Sequence, residues 1–180
     1  MNTQSVIAVV LIAIAIWFLS YQAGRLDRLH HRIEVTELAL HGQLLRRGGI
    51  LAELAGVTGI DPALSVLWGQ AAHESIVSPE ENSATWMQVE DELANVLFMT
   101  LSDPEEVNEI RSNRHASLLL DELLQVSERI KMSHQFHTDA VRDCLEIRSQ
   151  LLVRMFRLAG RAKLPVAVDL DVQIPSALAN

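Results

Sequence analysis

The sequence contains a single cysteine, Cys144, and only 4% aromatic residues. One cysteine excludes an intramolecular disulfide framework and any zinc or iron–sulfur site built from several cysteines. The chain also lacks a glycine–lysine phosphate loop, a G-x-G-x-x-G fingerprint and an H-E-x-x-H metal motif. Its 15 basic and 23 acidic residues give a net charge of −8, which argues against a general nucleic-acid binder. We therefore expect no cofactor, no metal site and no catalytic residue.

Charged residues are also absent from the first 24 positions, where residues 6–19 form an unbroken apolar run. A helix of this length reaches roughly 36 Å, enough to cross a hydrocarbon core of about 30 Å. Aromatic rings collect at its end, where they favour the headgroup layer. The segment 1–24 is predicted to be a transmembrane anchor, represented by Val6, Leu11, Trp17, Phe18 and Tyr21.

The charges that flank this segment predict its orientation. A cleavable signal peptide has a basic start, whereas this sequence begins Met1-Asn2-Thr3-Gln4, so we expect the anchor to be retained. Basic residues follow the segment at Arg25, Arg28 and Arg32, and none precede it. The positive-inside rule then predicts a single-pass plasma-membrane protein with its N-terminus outside and its helical domain in the cytoplasm.

The remaining sequence has the periodicity of helices. One apolar stripe, at steps of three and four residues or their sums, contains Leu26, Leu29, Ile33, Leu40, Leu44, Leu51 and Leu54. Gly48-Gly49 is its weak point, where a kink or local flexibility is expected. Gly59 to Pro62 and Ser102 to Glu106 carry helix stop and start signals, and the stretch after Pro104 fits one or two long helices. The prediction is an all-α fold, an antiparallel bundle of about four helices over residues 25–164.

After Pro165 the pattern changes to an alternation of apolar and other residues over the tail 165–180. Alternation is typical of an extended chain with one buried face. We interpret it as a C-terminal arm laid along the bundle, or alternatively as a strand that adds to a partner's sheet edge. The apolar positions of this partner arm are Val166, Val168, Leu170, Val172 and Ile174.

Charge is distributed in blocks along the chain. Residues 53–128 contain two basic and fifteen acidic residues, whereas residues 129–163 contain eight basic and three acidic residues. One interpretation is mutual neutralisation of packed helices, with acid runs such as Glu90-Asp91-Glu92 exposed to solvent. The other is a membrane-proximal collar that binds anionic lipid headgroups. That collar would comprise Arg25, Arg28, Arg32, Arg154, Arg157, Arg161 and Lys163.

Few residues of the sequence are candidates for metal binding or catalysis. His134 and His137 have a spacing that two metal ligands can share on a helix, and Asp139 follows them, but no third ligand is evident. His137 and Cys144 both fall on an apolar stripe, which favours burial in the core over a catalytic role.

Two stretches resemble the LemA family of bacterial membrane-anchored helical proteins. Leu44-Leu45-Arg46-Arg47, followed by Ile50, Leu51 and Leu54, is similar to the family's L-x-R-R segment and the apolar residues after it. Residues 136–142 (FHTDAVR) resemble its Y-N-x-A-V-R segment, and residues 151–165 resemble a short actinobacterial branch. The resemblance implies an anchored antiparallel helical bundle and carries over no catalytic residue.

These observations favour a non-catalytic accessory or assembly subunit of a larger membrane complex, for which a respiratory complex is one candidate. Its partners would be other membrane proteins and the lipid bilayer, with no nucleic acid, and the sequence leaves its oligomeric state open. The alternatives are a hydrolase-like anchored enzyme using His134, His137 and Asp139, and a sensor of anionic lipid.

Overall fold

The computed structural model describes residues 3–77, 83–150, 155 and 164–179. The helices of these ranges are α1 (Thr3–Ala55), α2 (Pro62–Val77), α3 (Ser83–Thr100), α4 (Pro104–Ser112), α5 (Arg114–Ser149) and α6 (Ser176–Ala179). Residues 164–175 are extended, and no strand occurs in the described ranges. The predicted all-α fold is confirmed.

Side-chain caps define where three of the helices begin. Asp61, Asp103 and Asn113 precede α2, α4 and α5, and each accepts a hydrogen bond from the backbone N–H two residues further on, at 2.7, 2.9 and 2.9 Å. Such caps satisfy amide groups that have no partner within the helix. The starts predicted near Asp61 and Asp103 are confirmed. Asn113, whose backbone is extended, divides the stretch after Pro104 into α4 and α5.

Glycines within α1 and after its end have different conformations. Gly48 and Gly49 do not interrupt α1, which continues to Ala55. Gly59, beyond the end of that helix, has a φ of +96°, a left-handed conformation that glycine adopts without strain. The predicted left-handed conformation of Gly59 is therefore confirmed, whereas the helix itself ends four residues earlier, at Ala55.

Contacts divide the chain into two compact units. Unit 1 consists of Met1–Thr36 and His137–Ala167, and unit 2 consists of Glu37–Phe136 and Val168–Asn180. The division does not follow the predicted boundaries at residues 24 and 164, because α1 and α5 each contribute residues to both units. The predicted division into anchor, bundle and arm stays a prediction.

Unit 1 pairs α1 with the last part of α5. Polar contacts join Arg32 to Asp143 at 3.2 Å and Thr36 to His137 at 3.3 Å. Residue numbers rise along one helix as they fall along the other, so the two segments are antiparallel. Their buried apolar contact consists of Leu26, Ile33, Ala140, Val141, Cys144 and Ile147.

Unit 2 contains the larger core. The indole of Trp68 in α2 is fully buried and donates a hydrogen bond of 2.9 Å to the hydroxyl of Thr100 in α3. The surrounding core residues are mostly aliphatic, as the low aromatic content indicates. They include Leu40, Leu44, Leu51 and Leu54 from α1, Leu93 and Leu97 from α3, Leu120, Leu123 and Ile130 from α5, and Leu170 and Leu178 from the chain after α5.

The first part of α1 exposes its apolar side chains. Leu11 is 61% exposed and Trp17 is 70% exposed. Among the helices in the described part of the chain, α1 is long and apolar enough to cross a membrane. The sequence-based expectation of an N-terminal helix with the length and composition of a membrane span is confirmed.

The adjacent glycines of α1 offer a matched test of packing in unit 2. A Cβ on Gly48 would lie 3.1 Å from Ser75 Oγ, whereas a Cβ on Gly49 would have no neighbour within 4 Å. We expect G49A to raise the free energy of unfolding by about 1 kcal/mol, the usual gain of alanine over glycine within a helix. We expect G48A to lower it, because the crowded Ser75 hydroxyl is itself hydrogen-bonded to Glu90.

Denaturant unfolding of the two variants beside the wild-type protein measures both effects. Equal stabilisation by G48A and G49A would contradict the close approach of α1 and α2 at Gly48.

Candidate functional site

Two oppositely charged side chains are buried within unit 2. The side chains of Arg47 in α1 and Glu90 in α3 are only 6% and 1% exposed. Each occupies a position on an apolar stripe of its helix, where most residues face the core. Burial of a single charge is very costly, so two buried charges of opposite sign indicate a pair.

The pair has well-defined geometry. Arg47 Nη2 donates to Glu90 Oε2 at 2.8 Å and to the backbone carbonyl of Glu90 at 3.2 Å. Glu90 Oε1 accepts a bond of 2.6 Å from Ser75 Oγ in α2. Both carboxylate oxygens are therefore satisfied. We call Arg47, Glu90 and Ser75 the polar triad; it joins α1, α2 and α3.

The interpretation of Glu90-Asp91-Glu92 as a solvent-exposed acid run is wrong for Glu90. Its neighbours on the helix surface, Trp86 and Leu93, are four residues before it and three after it, and both are buried. Arg47 lies likewise between Leu44 and Leu51. Opposite charges on two apolar stripes were the sequence signal for this pair, and grouping Glu90 with its acidic neighbours concealed it.

A small cavity of about 10 Å³ adjoins the triad, which is room for one water molecule at most. Arg47 Nε is buried and has no hydrogen-bond partner in the described part of the chain. Helices α1, α3 and α5 form part of the cavity wall, and the chain after α5 forms the rest. The residues that line it are Arg47, Ala94, Leu97, Leu123, Ser127, Ile130, Val172, Gln173, Pro175 and Leu178.

The predicted C-terminal arm alternates as its sequence indicates. Leu170 is buried in the core of unit 2, and Val168, Val172 and Ile174 are half-buried. Val166 is exposed and belongs to unit 1. The arm thus lies against its own chain from Val168 onward, which agrees with the first of the two interpretations. Addition of this segment to a partner's sheet stays a prediction.

The predicted membrane-contacting residues are exposed wherever the structure describes them. The five anchor residues Val6, Leu11, Trp17, Phe18 and Tyr21 all have exposed side chains. Arg25 and Arg28 are exposed as well, and Arg32 forms an ion pair of 3.2 Å with Asp143. The remaining collar residues, Arg154, Arg157, Arg161 and Lys163, lie outside the described residues, so the collar stays a prediction.

The residues of the alternative enzyme site have separate partners. His134 Nε2 lies 2.8 Å from the carbonyl oxygen of Val168 in unit 2. In unit 1, His137 is buried with its Nδ1 3.3 Å from the hydroxyl of Thr36, and Asp139 forms an ion pair of 2.8 Å with Arg142. Across the described ranges, no group of three or more His, Cys, Asp and Glu side chains forms a metal-binding cluster.

Cys144 is fully buried in unit 1, as its position on the apolar stripe indicates. Burial raises the pKa of its thiol, and the nearby charge of Arg148 lowers it by a smaller amount. Because the thiolate is the nucleophilic form, a raised pKa makes Cys144 less reactive than an exposed cysteine at neutral pH.

No family model, curated protein or solved structure matches this chain.

The buried polar contacts of unit 2 join its helices. The polar triad holds one carboxylate and one guanidinium together, and the Nε of Arg47 has no hydrogen-bond partner in the described ranges. A guanidinium has N–H donors and no acceptor, so Arg47 acts only as a hydrogen-bond donor.

Two neighbouring arginines of α1 allow a controlled test of the triad. We expect R47M to lower the free energy of unfolding by about 3–5 kcal/mol, because it leaves the buried Glu90 carboxylate without its cation. The double variant R47M/E90M should recover most of that loss, since it removes both charges and keeps apolar volume.

R46M is the control, because Arg46 pairs with Glu122 on an exposed surface. Exposed pairs contribute little, so R46M should have a much smaller effect than R47M in denaturant unfolding. Similar losses for R46M and R47M would contradict the assignment of the triad as the buried support of unit 2.

Proposed function

We propose that this chain is a non-catalytic, single-pass membrane protein that binds other membrane proteins as an accessory or assembly subunit. The observation that carries the proposal is the exposed apolar surface of the first part of α1. Val9, Leu11 and Ile16 are 65%, 61% and 59% exposed. Lipid tails or the membrane-spanning helices of other proteins would cover such side chains.

Basic residues support a cytoplasmic location for the helical domain. Arg25 and Arg28 immediately follow the apolar part of α1, and both are exposed. A cluster of basic residues favours the cytoplasmic side of the membrane. We therefore infer that the N-terminus lies outside the plasma membrane and that unit 2 lies within the cytoplasm.

The charge of unit 2 supports a basic partner surface. Two basic and fifteen acidic residues occur between positions 53 and 128. Several of these carboxylates, including Glu92, Glu109 and Glu128, are exposed. An acidic surface attracts basic partner surfaces and disfavours acidic ones, so it contributes more to the choice of partner than to affinity.

The resemblance to LemA proteins supports the same proposal. The L-x-R-R segment supplies both Arg46, which pairs with Glu122, and Arg47 of the polar triad. The family resemblance would make this an anchored antiparallel helical protein of actinobacterial type. A respiratory complex is one candidate for the assembly that it joins.

Purification of the intact protein from its native membrane in a mild detergent tests the proposal. We expect other membrane proteins to remain bound in fixed stoichiometry, and recovery of a solitary monomer would contradict an accessory role. The variant E92Q/E109Q/E128Q should retain less bound partner protein, because it removes three exposed negative charges from the acidic block, residues 53–128.

E34Q/E37Q/E146Q is the matched control, because it removes three exposed charges that lie outside residues 53–128. If both triple variants lost the same amount of bound partner protein, the acidic block would have no special role in binding.

Membrane orientation is tested with single introduced cysteines and a maleimide that cannot cross membranes. The wild-type protein is the background, because buried Cys144 has a raised pKa and should react slowly. We expect Q4C to be labelled on intact cells and E92C only after lysis, since both positions are exposed on the protein. Labelling of E92C but not Q4C on intact cells would reverse the proposed orientation.

A further inference from the structure

The extended C-terminal segment occupies a groove of unit 2. We define this arm as residues 168–179, which comprise an extended part and the short helix α6. Leu170, Ala177 and Leu178 are buried in the core, and Asp169 and Asp171 are exposed. The groove therefore accepts alternate side chains of an extended peptide, which is a common mode of peptide recognition.

Several polar contacts in the groove are made with the backbone of the arm. Asp91 Oδ1 accepts a bond of 3.0 Å from the N–H of Asp171. His134 Nε2 lies 2.8 Å from the carbonyl oxygen of Val168. Any extended chain can make such backbone contacts, so they select for an extended conformation. The buried apolar positions of the groove then determine which side chains are accepted.

The arm does not satisfy every group beneath it. The cavity of about 10 Å³ lies between the helices and the arm, which contributes Val172, Gln173, Pro175 and Leu178 to its wall. Arg47 is 5% exposed, and its Nε has no acceptor in the described ranges. A buried N–H without an acceptor is unfavourable, so a ligand with an oxygen atom at this place would add a hydrogen bond that the arm does not make.

The charge balance indicates which acceptor suits Arg47. Glu90 already neutralises the guanidinium at 2.8 Å. A second carboxylate would leave one uncompensated negative charge in the core, which is costly. A neutral oxygen, such as a threonine hydroxyl or an amide carbonyl, satisfies Nε without adding charge.

We propose that the groove is a peptide-binding site of unit 2 that its own C-terminal arm occupies in the absence of a partner. The partner is an extended apolar segment of another protein that carries a neutral oxygen acceptor facing Arg47, near the position of Val172. This inference rests on the proposed function, because it names the contact by which an accessory subunit would hold its partner.

The test uses the full-length protein in detergent and a fluorescent peptide with the arm sequence, residues 164–180 (LPVAVDLDVQIPSALAN). In the variant L178A the protein's own arm loses a buried side chain that the peptide retains. We expect the peptide to bind L178A at least about tenfold more tightly than the wild-type protein, as measured by fluorescence anisotropy. V166A is the control, because Val166 is 76% exposed and should leave peptide affinity unchanged.

A second peptide tests the acceptor. The substitution V172T keeps the shape of valine and replaces one of its methyl groups with a hydroxyl. We expect the V172T peptide to bind L178A about 2- to 10-fold more tightly than the unmodified peptide, the usual effect of one new hydrogen bond. The gain should disappear when L178A is combined with R47M/E90M, which removes the donor and its counterion together. A V172T peptide that binds no more tightly would overturn the role of Arg47.

A reversible lock provides a test that does not depend on the stability of L178A. The variant D91C/D171C introduces cysteines at two residues that contact each other, and a disulfide between them would fix the arm in the groove. The peptide should bind the reduced protein and not the oxidised one. Equal binding to both forms, no binding to either form, or disulfides that join two copies of the chain would overturn the proposal. These outcomes concern the groove alone, and co-purification of membrane partners tests the accessory role separately.

Discussion

The ion pair between Arg47 and Glu90 constrains how three helices of unit 2 can be arranged. A rotation of α1 that removed the Arg47 guanidinium would leave the buried Glu90 carboxylate without its cation, which is costly. A shift of α2 that removed the Ser75 hydroxyl would take away its other hydrogen-bond partner. Gly48 lies beside Arg47 and allows α2 to approach α1 closely, because a side chain there would meet Ser75 Oγ at 3.1 Å. The triad therefore disfavours arrangements of α1, α2 and α3 in which Glu90 loses either partner.

Arg47 of this ion pair also lies beside the groove in which we propose that a partner segment binds. Arg47 uses Nη2 for Glu90, and its side chain also lines the cavity beneath the arm. One residue therefore participates in both the internal support of unit 2 and the surface against which the arm lies. Any segment that replaced the arm would encounter a donor whose position the triad already fixes, and a fixed donor reduces the ordering cost of binding.

The sequence predicted the helices well and the buried polar contacts poorly. Periodicity identified the stripe of α1, and capping residues such as Asp61 and Asp103 identified helix starts, because both depend on neighbours within a few residues. Glu90 was misassigned because its burial depends on Arg47, which lies 43 residues earlier in the chain. Such pairing over a long sequence distance is visible only when two helices are considered together. The cavity could not be predicted from the sequence either, because the helices and the arm enclose it jointly.

The participation of the arm in the core also affects the order in which unit 2 can fold. Helices α2 and α3 adjoin along the chain, and their contact between Trp68 and Thr100 spans only 32 residues. The core cluster, in contrast, joins Leu40 to Leu178. Closing a long loop costs more entropy than closing a short one, and distant contacts slow folding. We therefore expect the α2–α3 hairpin to form early and the contacts between the arm and the core to form later.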